Sequence, residues 1–486
     1  MTGTQTSPNI LLIMPDQMRG DCMSLVGHPV LLTPNIDAIG GQGAVFTQAY
    51  TTCASCIPAR RSLLTGQFPA SHGMVGYMEG VPLKAPTLPQ CLRDGGYATA
   101  IVGRYMHQSP YTEPYGFETR ILGSTYIQDD DYARTLDRAV PQLGGIRGLG
   151  LSFNGWQARP WPLPEHLHPT AWTVQQARRL MARHDHERPL FLTVSFYAPH
   201  PPLMPPASYF ERYIRQGVVP PAIGDWVEPP AHGGRGAGVD AHRIRLEGEA
   251  LRSAQAGYFG LINHIDDQLY WLTQEFKALS RAGSRPWLIV FTSDHGEMLG
   301  DHCYFRKCEP YDGASRIPFL IQGSPEMAFK RGLTVDSPVS LEDLMPTLLS
   351  AAGLPIPETV EGLDLVPVLR GEEGTRRPWL HGEHAPCYSE AQAYHFLTDG
   401  HEKYIWRPLD GREQLFDLRA DPRELHDLTL IPRTDGVQRA GVDAALHRWR
   451  QRLIQVLQDR PEGFTDGERL LPGRPYPALL PHVSGA

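Results

Sequence analysis

Asn9-Ile10-Leu11-Leu12-Ile13-Met14 is followed at once by Pro15-Asp16-Gln17, and this passage decides the fold class. Unbroken apolarity over so few residues fits a strand covered on both faces, as in a parallel sheet flanked by helices. The pattern recurs at 97–102, 189–195, 286–293 and 317–322. Between these runs, 254–279 carries Leu261, Ile262, Ile265, Leu269 and Leu272 at helical spacing. Ser340-Leu341-Glu342-Asp343 ahead of Leu344, Leu348 and Leu349 predicts a capped helix. The alternation predicts a doubly wound α/β core, in which ligands collect at the carboxyl ends of the strands.

Composition agrees with a large globular protein. The chain has 486 residues, 41% hydrophobic and 20% charged, with a formal net charge of −8. That apolar content is too high for a disordered chain, and mild acidity argues against a partner bound through a basic field, nucleic acid above all. No stretch approaches the ~20 apolar residues of a membrane helix. The start of the chain shows no basic region leading into an apolar stretch and a cleavage site, which predicts a cytoplasmic protein. Seven cysteines, an odd number in a long chain, do not read as a disulfide framework.

Segments 144–169 and 218–242, rich in Gly and Pro, read as long functional loops that shape specificity. After about Gly371 the character changes: strand-like 392–406 and 413–418 flank Asp410-Gly411, and 442–457 reads as an amphipathic helix. The expected division is a catalytic core over 1–370 and a smaller α+β subdomain over 371–486. The sequence does not specify an oligomeric state.

The chemistry concentrates at the strand ends. Asp16-Gln17 closes the first run, and Ser293-Asp294-His295-Gly296 closes the run at 286–293. Together they offer an oxygen-rich cation site with one imidazole, better suited to Ca²⁺, Mg²⁺ or Mn²⁺ than to Zn²⁺. Each dipeptide alone also reads as an ordinary strand-end turn. Cys53-Ala54-Ser55-Cys56-Ile57-Pro58-Ala59-Arg60, with Thr65-Gly66 beyond, predicts a short helix with Pro58 in its first turn and Cys56 at an anion-favouring N-terminus. Spacing alone leaves three readings open: a redox pair of Cys53 and Cys56, a thiolate metal site using Cys53, Cys56, Cys303 and Cys308, or one specialised Cys56 beside an anion pocket.

Cys56-x-Pro58-x-Arg60 with Thr65-Gly66 resembles the signature of the type I sulfatases, whose cysteine a maturation enzyme oxidises to Cα-formylglycine. Pro8–Gln17, Pro199-His200-Pro201-Pro202, Ser293–Gly296, Gly300-Asp301-His302, Lys307 and the segment 415–424 resemble further family motifs, in family order. The resemblance implies an α/β fold of the alkaline-phosphatase-like kind, a doubly wound mixed sheet flanked by helices. It also implies a divalent metal, Ca²⁺ first with Mg²⁺ or Mn²⁺ as alternatives, held by Asp16, Gln17, Asp294, His295 and the modified Cys56. Gln17 stands where many members carry Asp, and His295 where part of the family carries Asn. By the same resemblance Arg60 holds the hydrated aldehyde, and His200 protonates the leaving oxygen. Lys307 binds the sulfate and is one of only five lysines in the chain. Gly103-Arg104-Tyr105-Met106-His107 resembles a Gly-Lys-x-x-His motif with Arg for Lys, implying His107 as the base of the elimination step and Arg104 at the substrate.

The expected substrate is a small sulfate ester. Two rivals accompany that reading: a phosphonate monoester or phosphodiester hydrolase with the same machinery, and a non-hydrolytic Cys-x-x-Cys redox or zinc protein. Asp266-Asp267 reads as a solvated or capping pair, and Trp156, Trp161 and Trp172 as packing aromatics.

Overall fold

The computed structural model describes residues 7–106, 110–125, 127, 129–230, 238–432 and 436–484, the last segment without the side chains of 436–438 and 484. Its centre is an eight-stranded sheet in the order β5-β4-β6-β1-β7-β8-β2-β9. These are β1 (Asn9–Asp16), β2 (Ala44–Phe46), β4 (Ala98–Gly103), β5 (Thr119–Leu122), β6 (Leu190–Pro199), β7 (Trp287–Thr292), β8 (Phe319–Gly323) and β9 (Leu333–Val335). Two more short strands, β3 (Ala49–Tyr50) and β10 (Val339–Ser340), pair beside it.

Alternation along β1 shows why the run is apolar throughout. Leu11 and Ile13 face one core, with Leu261, Ile262, Ile265 and Leu269 of the helix Gly248–Ala282. Ile10, Leu12 and Met14 face the other, with Leu63 of the helix Cys56–Thr65 and Leu348 of the helix Leu344–Ala352. Both faces of the strand are therefore dry, and a polar residue on either would be buried without a partner.

Strands β5, β4, β6, β1 and β7 run parallel, whereas β8 runs antiparallel to both β7 and β2. Apolarity at 317–322 was legible as a strand, but its direction was not: the connection 293–318, long enough for a crossover, holds only short helical turns and brings β8 back antiparallel beside β7. The parallel arrangement puts the carboxyl ends of β4, β6, β1 and β7 at one edge. The expected cap at 340–343 is present as a reciprocal Ser340–Asp343 capping box.

The second sheet is antiparallel, in the order β11-β12-β13-β14, from β11 (Leu380–His384), β12 (Tyr394–Thr398), β13 (Glu402–Trp406) and β14 (Glu413–Asp417). The helix Gly436–Leu457 packs Leu446, Trp449 and Leu453 against it. Segment 392–406 holds a tight turn at Asp399-Gly400, where Gly400 takes φ 86°. Buried Lys403 of β13 pairs with Asp312 and with Glu424 at 2.8 Å, tying this sheet to the core.

Asp266 caps a helix from a distance. Its Oδ1 accepts from Asn35 N at 3.0 Å and Ile36 N at 2.7 Å, at the start of the helix Pro34–Gly41, while Asp267 accepts from Tyr209 Oη at 2.9 Å. Burial pushes the Asp266 carboxyl from an ordinary 3.8 up to about 7, against the pull of those hydrogen bonds. Replacing it with Ala leaves buried donors unmet, so Asp266→Ala is expected to cost about 1–3 kcal/mol in urea unfolding. A carboxyl raised on folding binds its proton more tightly in the native state, so its contribution is full below the unfolded value and lost as pH rises through the folded one. The native chain should therefore lose stability relative to Asp266→Asn between about pH 4 and pH 7; parallel slopes for the two proteins would contradict this.

Candidate active site

Asp16 ends β1, and Asp294 and His295 follow β7, its neighbour in the sheet, so two carboxylates and an imidazole meet at one edge. The helix Cys56–Thr65 presents its first residue to them. Gly66, at φ 65°, closes that helix by donating to Ser62 O. Cys56 Sγ lies 3.0 Å from His295 Nε2, 3.7 Å from Asp16 Oδ1 and 3.1 Å from Lys307 Nζ. One turn on, Arg60 donates to Asp16 Oδ2 at 2.9 Å and to Asp294 Oδ2 at 3.0 Å. It also reaches Ser195 Oγ of β6 at 3.3 Å.

Gln17 adopts φ 70°, a left-handed conformation costing of order 1–3 kcal/mol in a residue with a side chain. Its N–H donates to Asp294 Oδ1 at 3.0 Å, its amide nitrogen donates to Glu297, and its amide oxygen accepts from Lys307 at 3.0 Å. Arg306 and Cys308, on either side of Lys307, also have positive φ. The unusual backbone thus clusters where Lys307 is aimed at position 56.

Charge is held in unequal balance. Burial opposes ionisation of Asp16, but Arg104 and Arg60 together hold it well below the ordinary carboxylate range. Burial and then the charge of Asp16 push Asp294 up to about 6, despite Arg60. Burial works against a charge on His295, yet Asp294 and Cys56 keep it above the ordinary imidazole value. Burial and Lys307 push His200 well below that value. His200 Nδ1 lies 2.8 Å from Pro201 O, which can only accept, so the proton sits on Nδ1.

Asp16, Cys56, Asp294 and His295 bring their ligand atoms within 4.8 Å of one another, all buried. Two carboxylates and one imidazole suit a hard divalent cation. A second observation agrees: both carboxylates are fully buried, and Arg60 is the one arginine that pairs with Asp294 among the described residues. The residues present therefore fit the expected metal.

Of the residues expected from sequence, Asp16, Gln17, Cys56, Arg60, Asp294, His295 and Lys307 come together, with His200 and Lys307 lining the cavity above Cys56. His107 lies outside the described residues. Arg104 is fully buried behind the site, ion-paired with Asp16 and 3.7 Å from Cys56 Sγ, with its guanidinium 4.8 Å over the Tyr197 ring. It is absent from the cavity lining, where a substrate would lie. Gly103 before it has φ 98°, and a Cβ there would meet Ser195 O at 2.1 Å.

Cys53 and Cys56 are not bridged, and none of the seven cysteines forms a disulfide. Among the described residues the one metal-ligand cluster is that of Asp16, Cys56, Asp294 and His295, so Cys53, Cys303 and Cys308 form no thiolate site with Cys56. Trp161 and Trp172 pack together with Leu149 and Leu167 in a separate cluster. Glu297 and His384 also brace the site. Glu297 fixes the Gln17 amide and could have been noticed as a charge two residues past His295. His384, 3.0 Å from Ser55 Oγ, comes from the second sheet and gives no local signal.

Comparison with known proteins settles the family. The sulfatase family model matches residues 8–354. The chain belongs to the sulfatase family. A second model, described as N-sulphoglucosamine sulphohydrolase, C-terminal, matches 300–451. An arylsulfatase of Clostridium perfringens is 36% identical, over 98% of this chain and 99% of its own length. A choline-sulfatase of Rhizobium meliloti is 30% identical, over 88% of this chain and 84% of its own. A phosphonate monoester hydrolase of Agrobacterium radiobacter superposes with a TM-score of 0.71 at 27% identity, over 90% of this chain and 95% of that one. This is therefore a sulfatase-family enzyme with the alkaline-phosphatase-like fold, and no described helix is long and apolar enough to cross a membrane.

If the carboxylate pair is a metal site, Ca²⁺, Mg²⁺ or Mn²⁺ at about 100 times its dissociation constant should stabilise the protein by about 2.7 kcal/mol. Differential scanning calorimetry should show a rise in melting temperature for the native protein and none for Asp294→Ala. An equal rise in both would remove Asp294 from the ligand set.

Proposed function

We propose that this sulfatase hydrolyses a sulfate monoester through position 56. What carries the reading is the placement of Cys56 Sγ between His295, Asp16 and Lys307 at the floor of a cavity of about 710 Å³. The side chain is fully withdrawn from bulk water, yet it opens onto that cavity. A thiol so placed meets a cation at 3.1 Å and an imidazole at 3.0 Å, surroundings that suit an oxygen nucleophile and its charge.

Converted to formylglycine and hydrated, position 56 supplies one hydroxyl to attack sulfur and a second whose deprotonation expels sulfate and restores the aldehyde. A divalent cation held by Asp16, Gln17, Asp294 and His295 would supply charge compensation and polarisation of an oxygen. Ca²⁺ is the first candidate, with Mg²⁺ and Mn²⁺ behind it, because the oxygen-rich set has one imidazole and no thiolate once Cys56 is converted.

The chain's own residues do the remaining work. Lys307, fixed by the Gln17 amide, places its ammonium beside the attacked group and neutralises charge developing on the sulfate oxygens. Arg60 holds Asp16 and Asp294 in register while facing position 56 from the same helix. His200, on the cavity wall after β6, faces the leaving oxygen; bound sulfate raises its affinity for a proton, offsetting the push from Lys307. Arg104 is assigned to positioning Asp16 and Cys56, and His107 to proton abstraction in the elimination step. The two units are proposed to divide at about Gly371, since all of β11–β14 lies after it.

The likeness to a phosphonate monoester hydrolase gives the second reading, the same machinery acting on a phosphonate monoester or phosphodiester. Mass spectrometry of the peptide bearing Cys56, purified from a host with a formylglycine-generating enzyme, should show the aldehyde. Cys56→Ala should lower kcat by at least about 10³-fold, and Lys307→Ala by about 10²–10³-fold. Recovery of that peptide solely as thiol from fully active protein would refute the mechanism. Parallel kinetics on aryl sulfate, phosphonate monoester and phosphodiester decide the substrate, with preference for phosphorus favouring the second reading.

A further inference from the structure

The cavity above position 56 carries cationic groups that the sulfate end does not use. Its wall includes Arg147, from a short helical turn at Ile146–Leu149, and Arg306, beside Lys307. Arg306 is 9% exposed. Its Nη2 donates to Asp240 O at 2.7 Å, its guanidinium lies 4.2 Å over the Tyr388 ring, and its Nε meets no acceptor. Arg147 is exposed, with its guanidinium 5.1 Å over the Phe153 ring. Among the described residues neither arginine forms an ion pair, whereas the buried Arg60, Arg104 and Arg407 pair with carboxylates and the buried Arg61 donates to the carbonyls of Val81 and Pro82. Glu79 is the one acidic residue in the described lining, and its carboxylate accepts from Tyr77 Oη at 2.9 Å.

A guanidinium held by its face against an aromatic ring keeps its N–H donors directed outward along the ring edge. A nearly buried cation without a counter-ion has lost solvation that an incoming anion restores. Arg306, nearly buried, and Arg147, exposed but held over Phe153, stand on one wall beyond the ammonium assigned to the sulfate and favour a second negative charge on the substrate. They equally disfavour a cationic alcohol.

We propose that Arg147 and Arg306 are specificity-determining residues that bind an anionic group on the alcohol portion of the substrate, a carboxylate or a second sulfate. This rests on the sulfatase reading above and narrows it to esters of anionic alcohols. The loop 144–169 then sets specificity through Arg147. The described part of 218–242 is absent from the cavity lining and contributes the carbonyl of Asp240 that orients Arg306.

The test compares matured native protein with Arg147→Gln, Arg147→Lys and Arg306→Gln on four esters: phenyl sulfate, 4-carboxyphenyl sulfate, resorcinol disulfate and choline sulfate. Each ester is expressed as its kcat/KM relative to phenyl sulfate within the same protein, which cancels differences in folding and maturation. The relative preference for the two anionic esters should fall about 10-fold in each Gln variant, with most of the change in KM. Arg147→Lys should keep part of that preference, and choline sulfate should be the poorest substrate of the native protein. The carboxylate and disulfate arms tell which anion the wall accepts. Arg147 is exposed, so its variants carry the test even if Arg306→Gln fails to fold. Turnover with relative preferences unmoved by the Arg147 substitutions, or choline sulfate as the best substrate, overturns the assignment. Failure of every ester in every protein would overturn the sulfatase reading itself.

Discussion

Two carboxylates, Asp16 and Asp294, are buried side by side at the ends of neighbouring parallel strands, and one guanidinium, Arg60, bridges them. Like charges this close and this dry repel strongly, because little solvent screens them. Arg60 and Arg104 neutralise Asp16, but Asp294 remains hard to ionise. The site is consequently built around two buried carboxylates in unequal surroundings. Position 56, His295 and Lys307 are arranged about that pair, and the two carboxylates with the imidazole make a donor set suited to a divalent cation.

Holding such a site together requires rigid surroundings. Apolar residues on both faces of β1 lock its register against β6 and β7, so Asp16 and the residues after β7 cannot slide relative to each other. Left-handed backbone at Gln17, Arg306 and Cys308 is tolerated because Glu297 ties the two loops together: it accepts from the Gln17 amide, from Leu299 N at 2.8 Å and from Arg306 N. Strain of this kind persists only where the neighbouring packing over-determines it.

The second sheet completes the site rather than merely adjoining it. His384 of β11 reaches Ser55 just before the Cys56–Thr65 helix, and Tyr388 beyond it supplies the ring under Arg306. Lys403 of β13 anchors the sheet to Asp312 of the core. The cavity above Cys56 is therefore lined from both the core and the C-terminal sheet region, through Lys307 and Tyr388.

The strands at 9–16, 98–103, 190–199 and 287–292 were legible because burial on both faces forces local apolarity, and Asp16, Asp294 and His295 were legible because each follows such a run directly. Cys56, Pro58 and Arg60 lie within one helical turn or so, and their spacing sets Cys56 one turn from the guanidinium of Arg60. Roles that depend on long-range packing left no such trace. The reversal of β8, the burial of Arg104 behind Asp16, the bracing of Gln17 by Glu297 and the stacking of Arg306 on Tyr388 all join residues far apart in the chain. Local sequence determined which strands form and which side chains stand at their ends, since apolar period and turn chemistry act over a few residues. Only the tertiary structure decided which charges find partners and which face the cavity, since that depends on distances between segments that no local pattern encodes.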